Sequence, residues 1–214
     1  MRRTIIFGDI HGCWKEWKAL IKKLRVTSRD RLYCVGDLTC KGPSTRKTLD
    51  MAMAMRNFRT VRGNHDQALI EIYRNPRHTA PKKTYHKTAL RELGKRREKY
   101  IRFMESWPLY IKTRGFILVH GGLRPRIPIR KQAFWDLLTL RTIAPGNRPW
   151  YEFYKGRKLI VHGHWARQEL VVRKNVIGLD TGCVYGGSLV ALILPERRIV
   201  SVPARKVYVK PRRK

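Results

Sequence analysis

Short apolar runs punctuate this chain, at Thr4–Phe7, Leu32–Val35 and Phe58–Val61. Between them, apolar residues return every three or four positions. Four-residue apolar runs bounded by glycine predict strands, and the longer spacing predicts helices. Trp14, Trp17, Leu20, Ile21 and Leu24 share one helical face, so the tryptophans are expected in the core rather than as stacking surfaces. Ser44 is a predicted N-cap for a helix reaching about Arg56. This alternation predicts βαβ units and a parallel sheet.

From Gln67 to about Glu105 the pattern is helical, interrupted at Asn75-Pro76 and Ala80-Pro81, and dense in Lys and Arg from Lys82 to Arg102. It reads as a helical insertion, either a solvated face or a basic rim beside a functional site. Beyond it the chain turns to strands. They are predicted at Leu109–Ile111, Phe116–Val119, Leu159–Val161, Leu170–Val172, Val176–Leu179, Ser188–Leu194 and Ile199–Val202. The Pro-, Arg- and Trp-rich stretch from Leu123 to Gly156 holds one predicted helix, about Ala133 to Leu140. No internal repeat is evident.

Where apolar runs end, polar motifs begin: Gly8-Asp9-Ile10-His11-Gly12, Gly36-Asp37, Gly63-Asn64-His65-Asp66, His120-Gly121-Gly122 and His162-Gly163-His164. Asp, His and Asn offer the oxygen and nitrogen atoms that bind divalent metals. Adjacent glycines let the backbone turn and approach a ligand. Asp9 and His11, two residues apart in a turn, can reach one ion. Asp37 can bridge two ions through its two oxygens, and Asn64, His120 and His164 complete a second site. A donor set without thiolate suits manganese, iron or zinc in a two-metal hydrolase better than a structural zinc.

Composition narrows the class. With 214 residues the chain supports one well-buried domain. The longest apolar run, Leu189–Leu194, is far short of the ~20 residues that span a bilayer. Thr4-Ile5-Ile6-Phe7 is too short for a secretory core, so a cytoplasmic protein is expected. Cys13, Cys34, Cys40 and Cys183 form no C-x-x-C pair and are expected as reduced thiols. Lys and Arg total 48 against 15 acids, a formal charge of +33, which predicts a surface that attracts RNA, nucleotides or other polyanions and keeps monomers apart. After Glu196 there is no acid, and Arg205, Lys206, Lys210, Arg212, Arg213 and Lys214 make a basic tail.

The order D-x-H, G-D, G-N-H-D, H-G-G and G-H resembles the calcineurin-like metallophosphoesterases. Within them it is closest in look to the phosphoprotein phosphatase branch, which includes bacteriophage-type serine/threonine phosphatases and symmetrical diadenosine tetraphosphatases of the ApaH type. The likeness runs from about Thr4 to Leu194 and includes Asp180-Thr181-Gly182. It implies an α-β-β-α sandwich with two mixed sheets. The phosphoesterase domain would span 1–196, with a basic insertion at about 67–106 and a basic C-terminal strand and tail at 197–214.

By the same resemblance Asp9 and His11 hold one metal, Asp37 bridges, and Asn64, His120 and His164 hold the other. The ions are expected to be manganese, with iron or zinc as alternatives, and His162 is a marginal candidate. A metal-bridging hydroxide would attack phosphorus. His65 would protonate the leaving oxygen with Asp66 orienting it. Arg62, Lys41 and Arg141 would clamp the phosphate. Lys41 stands where the family usually has arginine, and Cys40 stands where the protein phosphatases have aspartate.

Asp66 in place of the protein phosphatases' glutamate, together with Gly163-His164-Trp165-Ala166, leans toward nucleotide phosphoanhydrides, either diadenosine tetraphosphate-like molecules or capped RNA ends. His120-Gly121-Gly122-Leu123 resembles the protein phosphatases, which keeps a serine/threonine phosphatase as the alternative. A basic nucleic-acid-binding protein with a vestigial metal site is the third.

Overall fold

The computed structural model describes residues 3–77, 84–167 and 169–210. The first half alternates strand and helix: β1 (Thr4–Phe7), α1 (Trp14–Lys23), β2 (Arg31–Cys34), α2 (Thr45–Ala54) and β3 (Phe58–Thr60). Three helices follow, α3 (Asn64–Arg74), α4 (Thr84–Leu93) and α5 (Arg97–Glu105). Next come β4 (Tyr110–Lys112), β5 (Phe116–Val119), α6 (Phe134–Thr139), and a small hairpin of β6 (Thr142–Ile143) and β7 (Arg148–Pro149). The chain ends with β8 (Leu159–His162), β9 (Val171–Val172), β10 (Val176–Gly178), β11 (Ser188–Leu194) and β12 (Arg198–Pro203).

These strands make two five-stranded mixed sheets, ordered β12-β11-β1-β2-β3 and β4-β5-β8-β10-β9. In the first, β1, β2 and β3 run parallel. In the second, β5, β8 and β10 run parallel. Parallel neighbours end at the same edge, so the motifs that follow β1, β2 and β3 emerge side by side, as do those that follow β5 and β8. This placement turns distant sequence motifs into one cluster.

Side-chain alternation along the strands builds the layers. Ile6, Val35, Val61, Leu118, Val161, Ile177 and Leu192 pack between the sheets. Ile5 and Phe7 face the other way, onto Trp17, Leu20 and the helices. Trp17 is fully buried and meets Phe7 edge-on at 5.9 Å, which is the core role its spacing predicts. On the far face of the second sheet, Ile117, Val119 and Ile160 pack against Leu137, Trp150 and Tyr151. The result is the expected α-β-β-α sandwich, with a thin fourth layer of α6 and irregular chain.

Helices α3, α4 and α5 occupy the stretch read as a basic insertion, and the first of them begins inside the motif at Asn64. The expected break at Ala80-Pro81 and residues 211–214 of the tail lie outside the described residues. Position 196, the expected domain boundary, falls in the turn between β11 and β12, which pair from Ser188↔Pro203 to Ile193↔Arg198. The chain after β12 packs back on the body, where the Tyr208 hydroxyl donates to Glu16 at 2.6 Å. No helix among the described residues is long and apolar enough to cross a membrane.

Candidate active site

The loops after β1 and β2 are stitched together by backbone. The N–H groups of Ile10 and His11 donate to the Asp37 carbonyl at 3.2 and 2.7 Å, and Gly12 N–H donates to Leu38 at 2.8 Å. Such tight turns force unusual backbone angles. Among the described residues nine non-glycines have positive φ; four of them, His11, Asp37, Cys40 and Lys41, lie in these loops, and a fifth, His164, lies in the loop after β8. Strain of this kind costs on the order of 1–3 kcal/mol per residue and persists where surrounding structure holds it. Two glycines make room for the carboxylates. A Cβ on Gly63 would meet Asp37 Oδ1 at 2.1 Å, and one on Gly163 would meet Asp9 Oδ1 at the same distance.

Asp37 is the hub. Its Oδ2 lies 3.4 Å from His11 Nε2 and 3.4 Å from His120 Nε2, while its Oδ1 accepts from the His65 N–H at 2.8 Å. The other ring nitrogens are anchored: His11 Nδ1 reaches the Thr39 carbonyl at 3.1 Å, and His120 Nδ1 reaches the Val35 carbonyl at 2.8 Å. A carbonyl can only accept, so each Nδ1 carries a proton, and Nε2 is the ring nitrogen turned toward Asp37, where it binds either a proton or a metal. Asn64 Oδ1 adds an oxygen, 2.9 Å from His120 Nε2 and 2.8 Å from His164 Nδ1. Asp9 accepts from the His164 N–H.

Lone pairs and carboxylates that converge in a buried place repel unless a cation lies among them. The residues therefore fit divalent metals. Two overlapping groups have their donor atoms within 4.8 Å of one another, His11–Asp37–His65 and Asp9–Asp37–His120. The same demand for positive charge appears in the ionisation. Burial disfavours a charged His120, yet Asp37 and Asp9 outweigh it and lift its pKa to about 9. Burial and then Asp180 push Asp9 well above the usual carboxylate range. Burial and then Lys41 depress His11 to about 3.

Around this centre the candidate phosphate-binding and proton-handling residues divide. Lys41 Nζ lies 3.1 Å from His11 Nε2, and Arg141 donates to the His164 carbonyl at 3.1 Å. Both line a groove of about 1050 Å³ that also touches His65, Tyr85, Trp165, Arg167 and Tyr185. Arg62 does not join them. Its guanidinium is held by Gln67 Oε1 at 2.8 Å and by the carbonyls of Glu105 and Trp107 at 2.5 and 3.1 Å, which turns it into the α3–α5 junction.

Nor does Asp66 hold His65. It accepts from the Thr39 N–H and hydroxyl at 3.1 and 2.7 Å and from the Gly63 N–H at 3.0 Å, so its oxygens are spent tying two loops together. Burial and then Asp37 lift it to about 6. His162 is buried between Trp150 and Tyr151, behind the cluster, and is absent from the donor groups found among the described residues.

Sequence reasoning missed the aromatic walls of the groove. Arg167 stacks over Trp165 at 3.9 Å, and Lys41 lies over Tyr185 at 5.2 Å. A cation two positions from an aromatic was the available signal at Trp165. Nothing local marks Tyr185.

The profile of the calcineurin-like phosphoesterases matches residues 2–191. An asymmetrical bis(5'-nucleosyl)-tetraphosphatase from Geobacillus sp. (strain WCH70) is 33% identical over 95% of each chain. A symmetrical bis(5'-nucleosyl)-tetraphosphatase from Vibrio parahaemolyticus is 25% identical, over 94% of this chain and 98% of that one. A crystal structure described as a candidate diadenosine tetraphosphatase superposes with a TM-score of 0.84 at 29% identity, covering 95% of this chain and 94% of its own. A Saccharomyces cerevisiae serine/threonine phosphatase, at 17% identity, TM-score 0.66 and coverage of 96% and 80%, shares the fold. The family match runs over nearly the whole sequence, and its strand-end donors meet in space: this chain belongs to the calcineurin-like phosphoesterases, a family of metal-dependent hydrolases.

Proposed function

We propose that this protein is a two-metal phosphohydrolase acting on nucleotide phosphoanhydrides, dinucleoside tetraphosphates or capped RNA 5′ ends. The observation that carries the reading is Asp37 Oδ2, set equally far from two imidazole Nε2 atoms in a buried cluster of metal-donor groups. The nucleotide preference is supported by relatives named tetraphosphatases at up to 33% identity over nearly full length. The first of these are named asymmetrical, which favours cleavage of diadenosine tetraphosphate to ATP and AMP over cleavage to two ADP.

In this reading Asp9, His11, Asp37, Asn64, His120 and His164 hold two divalent ions, manganese by preference for a site of mixed oxygen and imidazole donors. Bound there, the ions would neutralise phosphoryl oxygens and lower the pKa of water to supply the nucleophile. Lys41 and Arg141, on the groove wall, hold the remaining anionic oxygens and orient the chain of phosphates. His65 faces the same groove and gives its proton to the leaving nucleoside phosphate. Tyr185 and Trp165, each with a cation against its ring, offer flat surfaces to a base, and the +33 charge draws the polyanion in. Arg62 and Asp66 hold the loops and helices that carry these groups. The domain expected at 1–196 and the C-terminal segment that begins with β12 act as one catalytic unit, through the β11–β12 pairing.

The test is a substrate panel with manganese-loaded protein: diadenosine tetraphosphate, a capped short RNA, a phosphoserine peptide and p-nitrophenyl phosphate, with Asp37→Asn as control. The expected result is preference for an anhydride substrate, lost in the control. Preference for the phosphopeptide would overturn the substrate reading in favour of a protein phosphatase.

A further inference from the structure

One more convergence of donor atoms lies beside the catalytic loops. Cys40 sits in the loop after β2 and is buried. His65 is the second residue of α3. His86, in the first turn of α4, is buried at 7% exposure. One ligand atom from each lies within 4.8 Å of the other two. The His65 and His86 rings are 5.9 Å apart at 45°, with Tyr85 packed against both at 5.5 and 4.5 Å. Cys40 Sγ lies 3.9 Å from the His65 carbonyl. His65 Nδ1 is buried and makes no hydrogen bond.

The chemistry of this trio differs from that of the centre around Asp37. That centre offers oxygen and imidazole only, whereas the trio offers one sulfur and two imidazoles. Zinc takes such a set, with sulfur at about 2.3 Å and nitrogen at about 2.0–2.1 Å, and keeps a fourth position for water or a ligand. Tetrahedral bonds of those lengths put one sulfur and two nitrogen donors about 3.3–3.6 Å apart, so a contraction of at most roughly 1.5 Å closes the site. The Cys40 thiol would release its proton to solvent as it binds. His65 belongs to both clusters, which couples them.

We propose that Cys40, His65 and His86 form a separate zinc site, and that zinc bound there withdraws His65 from proton delivery. The binding half stands on the trio alone. The inhibitory half rests on the role given to His65 under Proposed function. The site makes activity answer to a thiophilic metal that the catalytic centre, having no sulfur, does not select.

Cobalt(II) separates the halves, because a thiolate ligand gives it a charge-transfer absorption in the near ultraviolet that oxygen and imidazole donors do not. Titration of the manganese-loaded protein with cobalt should give that band at one equivalent, bleached by zinc. The band should vanish in Cys40→Ser, weaken in cobalt affinity by about tenfold or more in His86→Gln, and persist in Cys13→Ser. Unchanged circular dichroism and manganese-dependent turnover would establish that the variants fold.

Zinc should then lower wild-type turnover of phenyl phosphate, whose phenolate leaves poorly without a proton, by about a hundredfold. It should spare p-nitrophenyl phosphate, whose leaving group needs no proton, and spare Cys40→Ser. Absence of the band, or its survival in Cys40→Ser, overturns the site. A band without zinc inhibition overturns the withdrawal of His65 and leaves the site standing. Failure of the nucleotide reading would instead show as no anhydride turnover at any metal loading, with the band intact.

Discussion

Asp66→Asn distinguishes a loop clamp from a catalytic partner. The wild-type carboxylate is fully buried and accepts three hydrogen bonds, two from Thr39 on one oxygen and one from Gly63 on the other. An amide keeps one oxygen for Thr39 and turns its NH₂ toward the Gly63 N–H, donor against donor. Leaving one buried donor unsatisfied and weakening the bonds that remain should cost about 2–4 kcal/mol in all. For a chain of this size that lowers Tm by about 5–15 °C. Calorimetry on metal-loaded wild type and variant, with kcat measured on the same preparations, reads both quantities. A Thr39→Val, Asp66→Asn cycle should show a coupling of about 1 kcal/mol or more, since the two residues share a network. The reasoning is refuted if Tm stays within about 1 °C while kcat falls by about a hundredfold, the pattern of an interaction made only in the transition state.

Arg62→Met strips a guanidinium from Gln67, Glu105 and Trp107; it should cost about 2–4 kcal/mol of stability with KM little changed, and a large rise in KM without loss of Tm would restore its place as a phosphate clamp. Asp30 tests pH dependence away from the metals. The Arg3 guanidinium, and then the Thr27 N–H, hold its carboxyl below the usual range. Because the folded pKa is depressed, this contribution is complete above the unfolded value of about 3.9 and disappears as pH falls through the folded one. Asp30→Asn should therefore be destabilised by about 1–3 kcal/mol near neutrality, with the gap closing in acid. Denaturant melts of both proteins in chelator at several pH values check it, and a gap that does not change with pH would contradict the assignment.

The donors around Asp37 were legible in the sequence because each follows a strand whose apolar run announces itself, and parallel strands bring their ends to one edge. What was not legible depends on side-chain direction across packed helices. Arg62 reads as a clamp beside Gly63 and Asn64, but the α3–α5 junction offers its guanidinium two carbonyls, so it turns inward. Asp66 reads as a partner for its neighbour His65, yet it sits at the third residue of α3, where a carboxylate meets the Gly63 N–H. His86 approaches Cys40 and His65 only because α4 folds back over α2 and α3, a long-range packing that no local pattern records. The two-residue strands β6 and β7 are too short to carry any periodicity.

The central claim, a hydrolase that needs two ions held by these side chains, is tested most directly by metal titration. Chelator-stripped protein would receive manganese in steps while diadenosine tetraphosphate turnover is followed. Turnover absent at the start, and rising to a break at two equivalents per chain, is the predicted result. Full turnover in the stripped protein, or two equivalents bound without hydrolysis of any phosphoanhydride or phosphoester, would contradict it.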